Sequence, residues 1–150
     1  YEYVVIYDPS GSFVTGGGWI NSPAGAYLAD PTLTGKAHFH FELKYKKNST
    51  VPTGDTAFKF EAGVLEFESK TETWLVVSGS KAQYAGTGVL NGSGDYGFMV
   101  TALDNAQTDK FRIRIWNRAT NALVYDNQLG APTTADPTTL LGGGSIIIHK

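Results

Sequence analysis

The feature that most constrains the fold is a period of two in hydrophobicity, which the segment 109–128 shows most clearly. Phe111, Ile113 and Ile115 alternate with Lys110, Arg112, Arg114 and Trp116. Successive side chains of a β-strand point to opposite faces, so this alternation predicts a strand with one core face and one solvent face. A polar turn over 117–121 and an extended apolar run over 122–125 complete a predicted β-hairpin with an acidic residue near each end.

The same alternation recurs along the chain. Segment 36–46 places Ala37, Phe39, Phe41, Leu43 and Tyr45 on one face and charged or histidine side chains on the other. One wet face favours an antiparallel sheet. Asn91-Gly92 is the strongest short hairpin signal. About ten or eleven short strands separated by turn residues predict an antiparallel β-sandwich of jelly-roll or immunoglobulin-like character.

Composition excludes several classes of protein. The chain has 150 residues, 41% of them hydrophobic, which suits a single domain over residues 1–150 with a real core. The net charge of −2 comes without a basic patch, so we expect no nucleic-acid partner. No apolar run reaches the roughly 20 residues that span a bilayer, so we expect no membrane insertion. Cysteine is absent, which excludes disulfides and thiolate chemistry.

Several sequence blocks resemble a known family. They are FVTGGGWI (13–20), GKAHFHF (35–41), YKKNSTVPTGDTAFKF (45–60), WLVVSGSKAQYAGTGVLNGSGDYGFMVTALD (74–104), DKFRIRIW (109–116), VYDNQ (124–128) and GGGSIIIH (142–149). Together they resemble the post-choice-of-anchor family of modules found towards the C-termini of exported bacterial multidomain proteins. The resemblance implies an all-β accessory domain joined to other extracellular domains, and it brings no catalytic residues. Residues 1–12 lie outside these blocks and are interpreted as a linker or as a strand exchanged with a neighbour.

Two metal sites can be derived from the residues. Asp104, Asn105 and Asp109 lie in one loop, and Asp126 and Asn127 end the hairpin that begins there, so these residues can meet at one edge. Carboxylate and amide oxygens are the ligands that Ca²⁺ prefers; the alternative is a polar turn without a metal. His38 and His40, with Glu42, share one strand face, a geometry that zinc sites use; the alternative is an exposed polar face. No cofactor is required by the sequence, and Ca²⁺ is the one it suggests.

Aromatic residues suggest a ligand surface. Trp19 follows the triple glycine 16–18, and Trp116 shares the predicted outer face with Arg112 and Arg114. Exposed aromatic rings stack on sugars in carbohydrate-binding modules. The alternative is that this face is also covered, with the tryptophan packed over the arginine stems.

The sequence favours a non-catalytic function. It contains no nucleophile elbow, and its three histidines and paired glutamates lack the arrangement of a catalytic site. We therefore expect a structural or adhesive accessory domain of a secreted or cell-surface bacterial protein, with other domains of that protein or copies of itself as partners. The alternatives are a carbohydrate-binding module, with a glycan as partner, and a calcium-stabilised binding module.

Overall fold

The structure, a computed structural model, describes residues 13–45, 51–104 and 108–149, with the side chains of Tyr45 and His149 left out. These residues form nine strands in one antiparallel sheet that curls into a half-barrel. The strands are β1 (Phe13–Ser22), β2 (Gly35–Tyr45), β3 (Pro52–Phe60), β4 (Leu65–Ser78), β5 (Lys81–Leu90), β6 (Ser93–Leu103), β7 (Lys110–Asn117), β8 (Leu123–Asp126) and β9 (Leu141–His149).

The strand order is β8-β7-β6-β5-β4-β3-β2-β1-β9, so the chain meanders from β1 to β8 and then returns to place β9 beside β1. This return brings the start of β9 back to the start of β7. Phe111 N donates to Thr139 O at 3.0 Å, and Leu141 N donates to Asp109 O at 3.1 Å. The return segment therefore joins β9, at one end of the sheet, to β7, next to the other end, and this connection fits the curl of the sheet.

The concave face of the sheet holds an aromatic core. Phe39 stacks on Phe111 at a centroid separation of 4.1 Å, and Phe58 lies 4.8 Å from Tyr125. Phe111, Ile113 and Ile115 are fully buried, so the predicted core face of the hairpin is confirmed. Each buried side chain of this size contributes about 1.5–3 kcal/mol by leaving water, which makes this face the main source of stability.

The loop 128–140 covers part of the convex face. Cross-strand neighbours Gln83, Thr101 and Arg112 form a row on that face of β5, β6 and β7. Gln83 Nε2 donates to Thr133 O at 2.7 Å, and Arg112 Nη1 donates to Pro132 O at 2.6 Å. Thr101 and Arg112 are consequently 2% and 1% exposed. A loop without regular secondary structure, rather than a second sheet, therefore covers this part of β5, β6 and β7.

The long loop after β1 covers the other edge of the sheet. Tyr27 forms an isolated bridge with Tyr125 of β8. Leu28 N donates to Val124 O at 3.1 Å, and Asp126 N donates to Ala26 O at 3.0 Å. Backbone groups that β8 would otherwise present to solvent are thus paired within the domain.

The all-β antiparallel class is confirmed, whereas ten or eleven strands in two facing sheets are not. The described residues contain nine strands in one sheet, and the predicted strand at the start of the chain lies outside them. Residues 13–45, 51–104 and 108–149 contain no helix long and apolar enough to cross a membrane.

Candidate functional site

Arg112 lies inside the protein rather than on a ligand-binding surface. Its Nε donates to Asp126 Oδ1 at 3.0 Å, and its Nη2 donates to Asp126 Oδ2 at 2.8 Å, a bidentate ion pair. The same guanidinium donates to the carbonyl oxygens of Gln128, Ala131 and Pro132. Of the two interpretations of this face, the solvent-exposed one is wrong for Arg112 and the covered one is right, because the loop 128–140 lies over it.

Arg114 and Asp126 belong to the same cluster. Arg114 Nε donates to Asp126 Oδ2 at 3.2 Å, and the Arg114 side chain is 25% exposed. Asp126, with a side chain only 3% exposed, thus balances two guanidinium groups and also accepts a hydrogen bond from Gln128 N at 2.9 Å. A metal ion at Asp126 would have to displace these partners. The geometry therefore assigns this carboxylate a structural role, in which it holds Arg112 against the loop 128–140.

Asn127, which the sequence places with Asp126 at the edge of the candidate calcium site, has a structural role in this cluster. Its Oδ1 accepts from Ile113 N at 2.8 Å, and its Nδ2 donates to Phe111 O at 2.9 Å and to Thr139 Oγ1 at 2.9 Å. The side-chain amide therefore extends the β7–β8 ladder by imitating a backbone peptide. The sequence signal for this role is only an Asn directly after a strand.

Asp104 and Asp109 cap an edge strand. Asp109 Oδ2 accepts from Ile146 N at 2.6 Å, and Asp104 Oδ2 accepts from Ile148 N at 3.2 Å. Ile146 and Ile148 lie two residues apart on β9, so their N–H groups point to the same side, away from β1. The two carboxylates thereby close an otherwise open edge of the sheet.

The predicted calcium ligands do not converge within the described part of the chain. Asp104 and Asp109 serve β9, Asp126 serves Arg112, and Asn105 lies outside the described residues. Among residues 13–45, 51–104 and 108–149, no group of three or more histidine, aspartate or glutamate side chains is placed to hold a metal ion. A contribution of Asn105 to metal binding stays a prediction.

Trp19 and Trp116, two of the three tryptophans, lie on glycines of neighbouring strands. The Trp19 ring covers Gly142 and Gly143, where an added Cβ would collide with it, and the Trp116 ring covers Gly97 in the same way. Lys36 Nζ lies 4.2 Å from the centroid of the Trp19 ring. Packing of aromatic rings over glycine stabilises a sheet where side-chain contacts are otherwise missing.

Trp19 and Trp116 lie on different strands of the sheet. Trp19 belongs to β1 and Trp116 to β7, with five strands between them in the sheet order. The Arg114 guanidinium carbon lies 5.7 Å from the centroid of the Trp116 ring, which supports the alternative interpretation of packing over arginine.

His38, His40 and Glu42 are exposed on the convex face of β2, as the alternation predicts. Two shallow grooves of about 280 and 240 Å³ flank His40, one over Ala57 and one over Gly17. Small residues on the adjacent strands create these grooves. The histidines therefore line an open surface, and the described residues bring no third metal-binding side chain to them.

A buried polar chain, meaning a series of side chains that hydrogen-bond one to the next, crosses the core between β3, β4 and β5. The sequence did not reveal it. Thr56 Oγ1 and the Tyr84 hydroxyl lie 2.7 Å apart, and Thr56 N donates to Ser69 Oγ at 2.9 Å. The Ser69 hydroxyl in turn bonds the carboxyl group of Glu72, which is 7% exposed. Burial raises the pKa of Glu72 above its usual 4.5, with the nearby charge of Asp55 acting in the same direction and the Ser69 hydrogen bond opposing it.

Tyr84 completes this chain. Burial raises the pKa of the Tyr84 hydroxyl well above its usual value, and the Glu72 charge adds to that shift against the opposing hydrogen bond from Thr56. The phenol therefore stays protonated and acts only as a neutral hydrogen-bonding group. A polar chain of this kind inside an aromatic core constrains which strands pack together.

No family model matches the chain, and no curated protein and no solved structure matches it.

Proposed function

We propose that this chain is a non-catalytic structural or adhesive accessory domain of a secreted or cell-surface bacterial protein. One observation carries the proposal: the charged groups that would serve chemistry instead hold the fold together. Arg112 and Asp126 fasten the loop 128–140, and Asp104 and Asp109 cap β9. The resemblance of the sequence blocks to exported accessory modules supports the same function and the same location.

The covered edges of the sheet bear on how such a domain meets its partners. The loop after β1 pairs with β8, and aspartates take the outward N–H groups of Ile146 and Ile148. The exposed convex face of β1 to β4 then remains as the broad surface for other domains or for copies of the chain. Its cross-strand charges are of both signs, such as Lys59 beside Glu66 at 3.9 Å, which suits polar association between domains.

Segment 1–12, with its run YEYVVIY, lies outside the described residues. Its role as a strand exchanged between neighbouring subunits stays a prediction. If it pairs with a second copy, proline within the run removes a backbone donor and breaks the pairing.

Sedimentation velocity over a series of protein concentrations tests self-association. We expect wild-type protein to form dimers or larger species. Val5→Pro should be monomeric, with an unchanged far-ultraviolet spectrum, if segment 1–12 is exchanged, and His40→Glu should be monomeric if the convex face makes the contact. If wild-type protein stays monomeric at every concentration and binds no flanking domain of its parent protein, the proposed function is wrong.

A further inference from the structure

Two consecutive irregularities in β4 turn one glutamate into the core. Phe67 and Ser69 follow the inward alternation of β4, which would place residue 71 inside and residue 72 outside. The register against β5 shifts between Ser69 and Thr71 and again between Glu72 and Trp74. As a result Glu72 points inward, and Leu75 resumes the core face. Bulges re-aim side chains in this way next to functional sites.

The Glu72 carboxylate has no counter-charge among residues 13–45, 51–104 and 108–149. Its residue is 7% exposed, and Oε2 has no hydrogen-bond partner among the described residues. Within that part of the chain no lysine or arginine forms an ion pair with it, and Asp55 adds negative charge nearby. A buried carboxylate oxygen without a hydrogen bond is costly, so Oε2 is a position at which a proton, a water molecule or a cation would be stabilised.

One oxygen-bearing side chain is known to bond the Glu72 carboxyl group, namely the Ser69 hydroxyl. The β3–β4 ladder runs only from Ala57–Glu68 to Phe60–Leu65, so the first half of β3 has no strand partner on the β4 side. The backbone N–H of Thr56 points into the opening between the strands, where it donates to Ser69 Oγ at 2.9 Å. The hydroxyl groups of Thr56 and Ser69 lie in the same opening, here named the β3–β4 seam and defined by Asp55, Thr56, Ser69 and Glu72.

We propose that the β3–β4 seam binds one hard cation, with Glu72 as its anionic ligand and with hydroxyl oxygens around it. Carboxylate, hydroxyl and carbonyl oxygens are the donors that Ca²⁺ takes, and one or two carboxylates suit the weak, millimolar affinity of calcium sites in extracellular modules. This seam is separate from the edge formed by Asp104 and Asp109. It also stands independently of the proposed accessory function.

Thermal unfolding in chelator and in Ca²⁺ tests the proposal with the full chain. A cation that binds only the folded state raises Tm, by about 3–6 °C when Ca²⁺ is in tenfold excess over its dissociation constant. We expect this rise in wild-type protein and its loss in Glu72→Gln. Glu68→Gln, an exposed glutamate on the same strand, is the matched control and should keep the rise.

Terbium luminescence provides a second readout, because Tb³⁺ replaces Ca²⁺ and is excited by nearby aromatic rings such as buried Tyr84. Wild-type and Glu68→Gln should both show Tb³⁺ emission that Ca²⁺ displaces, and Glu72→Gln should not. Two results would overturn the proposal: no Ca²⁺ effect on wild-type Tm, or the same effect in Glu72→Gln. If instead the Asp104→Asn, Asp109→Asn double variant alone loses the effect, the ion binds at the β9 edge.

Discussion

Replacement of Arg112 by methionine should destabilise the fold strongly, although alternation along β7 marks this position as exposed. The variant leaves Asp126 buried at 3% side-chain exposure with one remaining cation, Arg114, which is itself partly exposed. Removing one member of a buried ion pair costs about 3–5 kcal/mol, because the other charge remains without its partner. Since each kcal/mol lowers Tm by about 2–4 °C in a domain of this size, we expect a fall of about 6–20 °C.

The contacts of the guanidinium explain why the loss should be this large. Three carbonyl oxygens of the loop 128–140 also lose their donor, so the loop should loosen with the ion pair. Urea unfolding followed by tryptophan fluorescence measures the free energy of unfolding. Hydrogen exchange of the Gln128 amide, which is bonded to Asp126 Oδ1, reports on the loop itself.

Arg118 offers a matched control. It pairs with Asp95 at 3.0 Å, but both side chains are largely exposed, at 49% and 65%. An exposed pair contributes about 0–1 kcal/mol, so Arg118→Met should change stability little. If Arg112→Met costs no more than Arg118→Met, the loop does not depend on the buried pair and the reasoning is refuted.

Three further predictions concern the strands. In chelator, Glu72→Gln should stabilise the protein by about 1–2 kcal/mol at neutral pH, because it removes an unpaired buried charge. Burial raises the pKa of Glu72 above 4.5, so the folded state binds a proton at pH values where the unfolded state has lost it. The free energy of unfolding of wild-type protein should therefore equal that of Glu72→Gln below pH 4.5 and fall behind it as the pH rises through the raised pKa. Urea titrations at several pH values check this. Gly97→Val should lower Tm, because its side chain would enter the space of the Trp116 ring, and a shifted tryptophan emission maximum should accompany the loss. Asp109→Ala should cost about 1–3 kcal/mol and speed hydrogen exchange at the Ile146 amide, which loses its acceptor; unchanged exchange would contradict the capping role.

Strand alternation predicts the core of this protein well where one face is wet. On β2, Phe39 and Phe41 are buried while His38 and His40 are exposed, as their spacing requires. The Asn91-Gly92 hairpin is also confirmed, and Asn91 has a φ of 49°, which this turn demands. Local rules suffice in these places because neighbouring strands are all that each residue meets.

The same rules are wrong where a loop covers one face of the sheet. Arg112 alternates with core residues, yet the loop 128–140 buries it. The period of two says which residues share a face, but it does not say what lies on that face. For the same reason a sandwich and a single curled sheet share one hydrophobic pattern, since the convex face of β5 to β7 is covered by a loop instead of by strands.

Glu72 shows what signal could have revealed the seam. Its neighbourhood, Lys70 to Thr73, is polar and gives no hint of burial. The hint lies on the partner strand instead, where Gly86 pairs with Glu72 and an added Cβ would collide with the Thr71 carbonyl oxygen. A glycine inside a strand marks a bulge or a close backbone approach. The methyl group of Gly86→Ala should therefore push β5 away from the two bulges of β4. It should also abolish the Ca²⁺-dependent rise in Tm if that rise depends on Glu72 being turned inward.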